Sequence, residues 1–317
     1  MPELRGLLPL LTVGCAAHLT APAEPPPEDE GVGATVSRAC WVEYARDEMP
    51  ANLAVAHHAL KQDQDSTQSG LLITGDRGTF LIDGGMAVDL AHEVEGVHGL
   101  PRYFLNRASK TWERLATPVE AVSSTGTDPA SLTAALPTHG HFDHLGGLLD
   151  LPDVPVWMPE AEIEVARRSA AGERQGTTPN DAIGVLPRAV PLTMDGPGAW
   201  SWSSGHDLMG DGSVLVVPLP GHTPGSVGVR VALPDQRELF LVGDAVWLRE
   251  GYEQREPKSW LASRFVDDDV DAAGVQVAKL WALHEALPEV VILPAHDRRA
   301  WLEAFGAPGC LGDSPSL

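Results

Sequence analysis

Four short apolar stretches of this chain each run into residues of the kinds that bind metals. Leu132 to Leu136 leads into His139-x-His141-x-Asp143-His144, and Val214 to Val217 into Pro220-Gly221-His222-Thr223-Pro224-Gly225-Ser226. Leu239 to Val242 leads into Gly243-Asp244, and Val290 to Leu293 into Pro294-Ala295-His296. Short apolar runs bounded by Gly and Pro read as buried strands. Loops at the carboxyl ends of such strands can converge on one site while the strands hold them rigid. The pattern therefore calls for a sheet-based fold in which these strand ends meet.

The first of the four is the densest. Thr138 to Gly147 packs His139, His141, Asp143 and His144 into one run that closes on Gly146-Gly147. His-x-His spacing is too close for both rings to share one face of a helix. On a turn leaving a strand, the same rings can surround a metal from two sides, and imidazole with carboxylate suits borderline transition metals.

Around these sites the chain alternates strands and helices. Leu71 to Thr74 and Thr79 to Ile82 read as a hairpin, with Asp83-Gly84-Gly85 ending its second strand. Helices are expected from Met86 to Val97, from Thr117 to Ser123 with Pro118 in the first turn, from Pro159 to Arg168, and from Asp271 to Leu287. Gly172 to Gly212 reads as a long irregular region carrying Trp200, Trp202 and His206. Val227 to Val231 is a further strand. Composition and periodicity alone thus give an α/β domain of sheet layers covered by helices. The 317 residues suffice for a sizeable core, and 43% of them are hydrophobic. A net charge of −22, from 44 acidic against 22 basic residues, excludes nucleic acid as a partner, because phosphate backbones demand concentrated Lys and Arg.

The N-terminus resembles a bacterial lipoprotein signal. Arg5 precedes the apolar run Leu7 to Gly14, which ends at Cys15, the residue that would become the lipid anchor. The run is far too short to span a bilayer. Ala21 to Gly31, rich in proline and acid, reads as an extended tether. The expected organisation is a signal at 1–15, a tether at 16–40 and one catalytic domain at 41–317, in an exported lipoprotein facing the periplasm. A cytoplasmic chain with a frayed N-terminus is the alternative. Cys40 and Cys310 remain; two lone cysteines in so long a chain read as unpaired, with pairing open in an oxidising compartment.

Taken in order, His139-x-His141-x-Asp143-His144, His222, Asp244 and His296, with the Gly-His-Thr-Pro-Gly and Gly-Asp elements, resemble the metallo-β-lactamase superfamily over almost all of the chain from Leu71 to His296. The resemblance implies a four-layer αββα sandwich with a metal site at one edge of the two sheets. It also implies that His139, His141 and His222 hold one ion, that Asp143, His144 and His296 hold a second, and that Asp244 bridges them. Two Zn²⁺ fit that ligand set, and iron or manganese is also compatible. A water shared by two such ions loses its proton near neutral pH and becomes a nucleophile, while one ion polarises a carbonyl oxygen. Asp143 would also handle the proton of the leaving group. Asp83 is a candidate to orient a ligating histidine, with a plain strand-end turn as its alternative. Thr138 and Thr223 could bond to ligands or serve turns. His57, His58, His92, His98 and His206 read as surface or loop residues, and His284 as packed on its helix.

The implied activity is metal-dependent hydrolysis of a small-molecule ester, lactone or amide. Zinc β-lactamases of the best-known subclass carry a cysteine where this chain has Asp244. Glyoxalase II enzymes continue into a helical domain after the last histidine. Lactonases acting on N-acyl homoserine lactones share the full ligand set but place a tyrosine three residues beyond the bridging aspartate, where Trp247 stands here. Tyr252 is the nearby candidate to replace it. Gly172 to Gly212 and Trp247 to Trp260 are expected to overhang the site, their tryptophans either lining a pocket or packing internally. Thioester or β-lactam hydrolysis, or an iron-containing redox role, are the alternatives.

Overall fold

The computed structural model describes residues 35–56, 63–90, 94, 97–98, 102–103, 106, 110–173 and 178–312. The proposed signal, Cys15, most of the tether, His57, His58 and His92 lie outside the described residues.

The strands are β1 (Val36–Pro50), β2 (Asp63–Gly75), β3 (Gly78–Ile82), β4 (Glu113–Arg114), β5 (Ala134–Leu136), β6 (Val156–Pro159) and β7 (Ala189–Leu192). They continue with β8 (Gly196–Ala199), β9 (Trp202–Asp207), β10 (Val214–Pro218), β11 (Val227–Ala232), β12 (Glu238–Gly243), β13 (Val291–Pro294) and β14 (Gly309–Gly312). Among the described residues the first sheet runs β14-β1-β2-β3-β5-β6-β7, with β4 on β1, and the second runs β13-β12-β11-β10-β9-β8.

Successive residues of a strand point to opposite faces, and here both faces are buried. In β3, Phe80 and Ile82 enter the core between the sheets, and Leu81 enters a second core under the helices Pro118–Ser124 and Glu160–Ala170. In β12, Leu239 and Leu241 face the same central core, whereas Phe240 and Val242 face Val277, Leu280 and Leu283 of the helix Val270–Ala286. Helix, sheet, sheet and helix are therefore stacked, the αββα arrangement expected from the resemblance.

The helix start at Thr117 has a physical cause in a capping box: Thr117 Oγ1 accepts from Glu120 N at 3.2 Å, and Glu120 Oε2 accepts from Thr117 N at 2.9 Å. Several expectations differ. Met86 to Asp89 is not helical, and many of the positions between Leu90 and Lys110 lie outside the described residues. Gly172 to Gly212 is not irregular: it contains the helix Pro179–Val185 and strands β7, β8 and β9. Gly and Pro in β8 conceal a strand that pairing with β9 imposes. Strand β1 starts at Val36, ahead of Trp41, and pairs with β2 from its first residue. Cys40 lies opposite Cys310 in the β1–β14 register and the two form a disulfide, overturning the unpaired reading; strand pairing joins residues that are distant in sequence.

Among the described residues, no helix is long and apolar enough to cross a membrane.

Candidate metal centre

The carboxyl ends of β5, β10, β12 and β13 do meet. His139 follows β5, and the short helix Phe142–Leu145 then carries Asp143 and His144. His222 sits on the turn after β10, Asp244 directly after β12, and His296 directly after β13. Nitrogen and oxygen atoms of His139, His141 and His222 lie within 4.8 Å of one another, as do those of Asp143, His144 and His296, and those of His139, His144 and Asp244. Asp244 stands between the first two groups: its Oδ2 is 3.4 Å from His222 Nε2, and its Oδ1 is 3.3 Å from His144 Nε2 and 3.2 Å from His296 Nε2.

This gathering is costly without a cation. Among the described residues, His139 Nε2, His144 Nε2 and Asp244 Oδ1 are buried and find no hydrogen-bond partner, and buried polar atoms without partners are strongly disfavoured. Burial, and then the neighbouring His144, His222 and His141, push the His139 imidazole well below its usual range. Burial alone would raise the Asp244 carboxyl, but His296 and His144 outweigh it and hold it well below the carboxylate range. Burial alone would lower His144 and His296, but Asp83 and Asp244 raise the first and Asp244 the second; a divalent cation would displace those protons and take their place beside the carboxylate. The residues fit a metal.

Each histidine that has its Nδ1 turned away from the cluster is held there. His222 Nδ1 is 2.8 Å from Asp267 Oδ1, His144 Nδ1 is 3.0 Å from Asp83 Oδ2, and His296 Nδ1 is 3.0 Å from the Thr67 carbonyl oxygen. Such contacts fix the tautomer and aim Nε2 inward. Asp83 has φ of 59°, the left-handed region, and its Oδ1 accepts from Thr138 N at 2.7 Å. Of the two readings of Asp83, the orienting one describes the geometry. Two glycines are demanded by close approach. A Cβ on Gly147 would lie 2.0 Å from the Gly84 carbonyl oxygen, and one on Gly243, where φ is 51°, would lie 2.6 Å from Thr138 Oγ1.

Sequence reasoning missed several supports. Glu162 is buried and accepts from Gly140 N at 2.6 Å, Thr223 Oγ1 at 2.7 Å and Gly225 N at 3.0 Å, so it joins the histidine loop to the His222 turn. Asp267 and its partner Lys258, at 2.8 Å, were also missed. Burial alone would raise the Asp267 carboxyl, but Lys258 and then the bond to His222 hold it far below the carboxylate range. None of these residues belongs to a local motif. Their only sequence signal is a charge placed inside an otherwise foldable element.

The aromatic expectations divide. Trp247 Nε1 donates to Asp244 Oδ2 at 2.7 Å, and the rings of Trp247 and Trp112 each lie 6.3 Å from His296. Tyr252 does not replace the lactonase tyrosine: it is packed in the outer-face core, with its ring 5.3 Å from His284. Trp200 and Trp202 pack edge-to-face against Phe240 in that same core rather than lining a pocket, and Trp260 is exposed. His206 lies in β9, with Nδ1 3.1 Å from the Thr193 carbonyl oxygen, and His98 is exposed. A cavity of about 680 Å³ at the β1–β14 edge, lined by Trp41, Glu120 and Cys310 among others, contains no ligand-type histidine, so the chemistry and not the volume locates the site.

Residues 64–304 match the model of the metallo-β-lactamase superfamily. The chain belongs to that superfamily. Among curated relatives it is 28% identical over 248 residues to the N-acyl homoserine lactonase AttM of Rhizobium radiobacter, covering 75% of this chain and 84% of the relative. It is likewise 28% identical over 245 residues to a probable metallo-hydrolase of Mycobacterium tuberculosis, covering 72% and 73%. Among solved structures, an N-acyl homoserine lactone hydrolase with N-hexanoyl-L-homoserine at its catalytic metal centre superposes with a TM-score of 0.63 at 17% identity, over 86% of this chain and 99% of that one. The dizinc quorum-quenching lactonase AidC gives 0.57 at 14%, over 86% and 90%. These structural likenesses carry the fold. With the family and the ligand-type cluster, they make this superfamily member a metal-dependent hydrolase.

Proposed function

We propose that this hydrolase holds two zinc ions and opens the ring of a small lactone, N-acyl homoserine lactones being the class to try first. The observation that carries the reading is the pair of three-residue groups, His139–His141–His222 and Asp143–His144–His296, with Asp244 between them. The similarity to AttM across 84% of that lactonase supports the substrate class. When bound, the ions supply an activated water and a Lewis acid for the carbonyl oxygen. The chain's own residues do the rest. Asp143, whose side chain is 13% exposed against 5% for Asp244, is the carboxylate nearest solvent and can pass a proton to the departing alkoxide. Trp112, Trp247 and Phe142 form apolar surface beside His296 and the histidine loop, suited to an acyl group.

Zinc-loaded protein should release protons from N-acyl homoserine lactones in a pH-stat, and His141→Ala should not. Turnover of a β-lactam, thioester or phosphotriester without turnover of any lactone would overturn the substrate class.

Export through Cys15, with residues 16–35 as a tether, belongs to the same proposal. The Cys40–Cys310 disulfide supports it, since such bonds persist in oxidising compartments. Fatty-acid labelling should mark the wild type and not Cys15→Ser; unlabelled wild type in the soluble cytoplasmic fraction would sink it.

A further inference from the structure

We propose that Lys258 is a positioning residue of the centre: its buried ammonium sets Asp267 behind His222 and the indole of Trp247 beside Asp244, so that one cation aligns ligand-type residues from two strand ends. This role rests on the two-ion reading of the centre.

The Lys258 side chain is 2% exposed and that of Asp267 is 1% exposed. Lys258 Nζ lies 2.8 Å from Asp267 Oδ1, the same oxygen that lies 2.8 Å from His222 Nδ1. Nζ also stands 5.6 Å from the centroid of the Trp247 ring, whose Nε1 donates to Asp244 Oδ2. A cation over an indole face at this distance is attracted to it, more so away from water. The lysine thus reaches the His222 turn by an ion pair and the Asp244 turn by an aromatic face.

The backbone shows why Lys258 stays there. Ala56 N donates to the Pro257 carbonyl oxygen at 2.7 Å, and Ser259 N to that of Leu53 at 3.1 Å, seating the lysine's segment on the helix Ala51–Ala54. At the far end of the following helix, Trp260–Val266, Asp268 N donates to the His222 carbonyl oxygen at 3.1 Å and Asp269 N to that of Gly221 at 3.0 Å. Lys258 and Asp267 are therefore clamped on both sides of the pair they form.

Removing the ammonium leaves a buried carboxylate with, among the described residues, the His222 ring as its remaining side-chain partner. A buried charge that loses its partner is strongly disfavoured. It relaxes by moving toward water, and the ring bonded to it moves too. A neutral side chain at 258 also removes what holds the Trp247 face. Both effects fall on Asp244 and the first group, and neither touches the Thr67 carbonyl or Asp83 that hold His296 and His144.

The test is zinc competition with a chromophoric chelator on the full protein, together with the absorption spectrum of the cobalt-substituted form. Lys258→Met should weaken one of the two stepwise zinc affinities by about 10- to 100-fold, the usual effect of losing a residue that supports a ligand. It should also shift the cobalt bands that His222→Ala abolishes, and Lys258→Arg should recover most of both. Two zinc affinities and a cobalt spectrum like those of the wild type in folded Lys258→Met would overturn the positioning role alone. Wild type that takes up no zinc would overturn the two-ion reading with it. Should Lys258→Met not fold, Asp267→Asn, of the same shape, should give the same selective loss, and its failure to do so is equally decisive.

Discussion

His222 and His144 are held alike at Nδ1, by Asp267 at 2.8 Å and by Asp83 at 3.0 Å, but the two carboxylates arrive by different routes. Asp83 ends β3, whose parallel neighbour β5 leads straight to the histidine loop, so the support of one half is built by adjacent strands. Its backbone is strained at a φ of 59°, and Gly84 N bonds to the His144 carbonyl oxygen at 2.8 Å. Asp267 comes from a segment inserted between β12 and the helix Val270–Ala286 and depends on Lys258 for its charge balance. One half leans on the sheet, the other on an ion pair carried in by a loop. Sheets hold geometry cheaply because their hydrogen bonds are already made, whereas a buried ion pair holds geometry only while both partners remain.

If the halves form one centre, losing a ligand-type residue from either costs the same. His141→Ala and His296→Ala are each expected to lower kcat/KM by about 10³-fold or more, as for removal of a principal electrostatic stabiliser. A large loss in only one of them, measured on zinc-loaded protein, would break the pairing into one essential and one accessory half.

Asp83→Asn should next weaken zinc binding by about 10- to 100-fold. Asp83→Ala should also lower stability by about 1–3 kcal/mol, because Thr138 N loses its acceptor and alanine at positive φ is strained. Denaturant titration of the metal-free protein measures this; an unchanged midpoint would show that the strained turn is not the source of order in that half.

Trp247→Phe keeps a ring near His296 and removes the indole donor to Asp244. About a tenfold fall in kcat/KM is expected from losing one hydrogen bond to a charged group. No change would mean that the indole serves only as a wall.

The smallest effect concerns the backing of His296. Glu43 Oε1 accepts from Arg298 Nε at 2.7 Å, two residues beyond that histidine, and from Arg46 Nε at 2.9 Å. Burial alone would raise the Glu43 carboxyl, but the bonds from Arg46 and Arg298 outweigh it and hold it below its ordinary 4.5. A depressed carboxylate adds stability above its unfolded pKa and loses it as pH falls through the folded one. In metal-free protein Glu43→Gln should therefore lower the unfolding midpoint at pH 7 and progressively less below pH 4.5. An equal loss at every pH would remove the charge from the account.

Much of this molecule was legible along the chain. Short apolar runs located β3, β10, β11, β12 and β13, and the ligand-type residues that follow several of them were visible because metal chemistry permits few side chains. Thr117 and Pro118 announced their helix. β8 was not legible, because Gly and Pro dominate it and pairing with β9 overrides local preference. Lys258, Glu162 and Asp267 were not legible either, since nothing local distinguishes a buried charge from a solvated one.

The amino-acid sequence by itself thus determined which side chains gather at the strand ends and that they suit metal ions, because those properties reside in residue type and spacing. The tertiary structure decided that Asp83 and Asp267 aim the rings, that Trp247 bonds to Asp244 while Tyr252 turns away, and that Cys40 meets Cys310. Each of these is a contact between residues distant in sequence, and only the packing of the two sheets and their covering helices brings such residues within a bond's length.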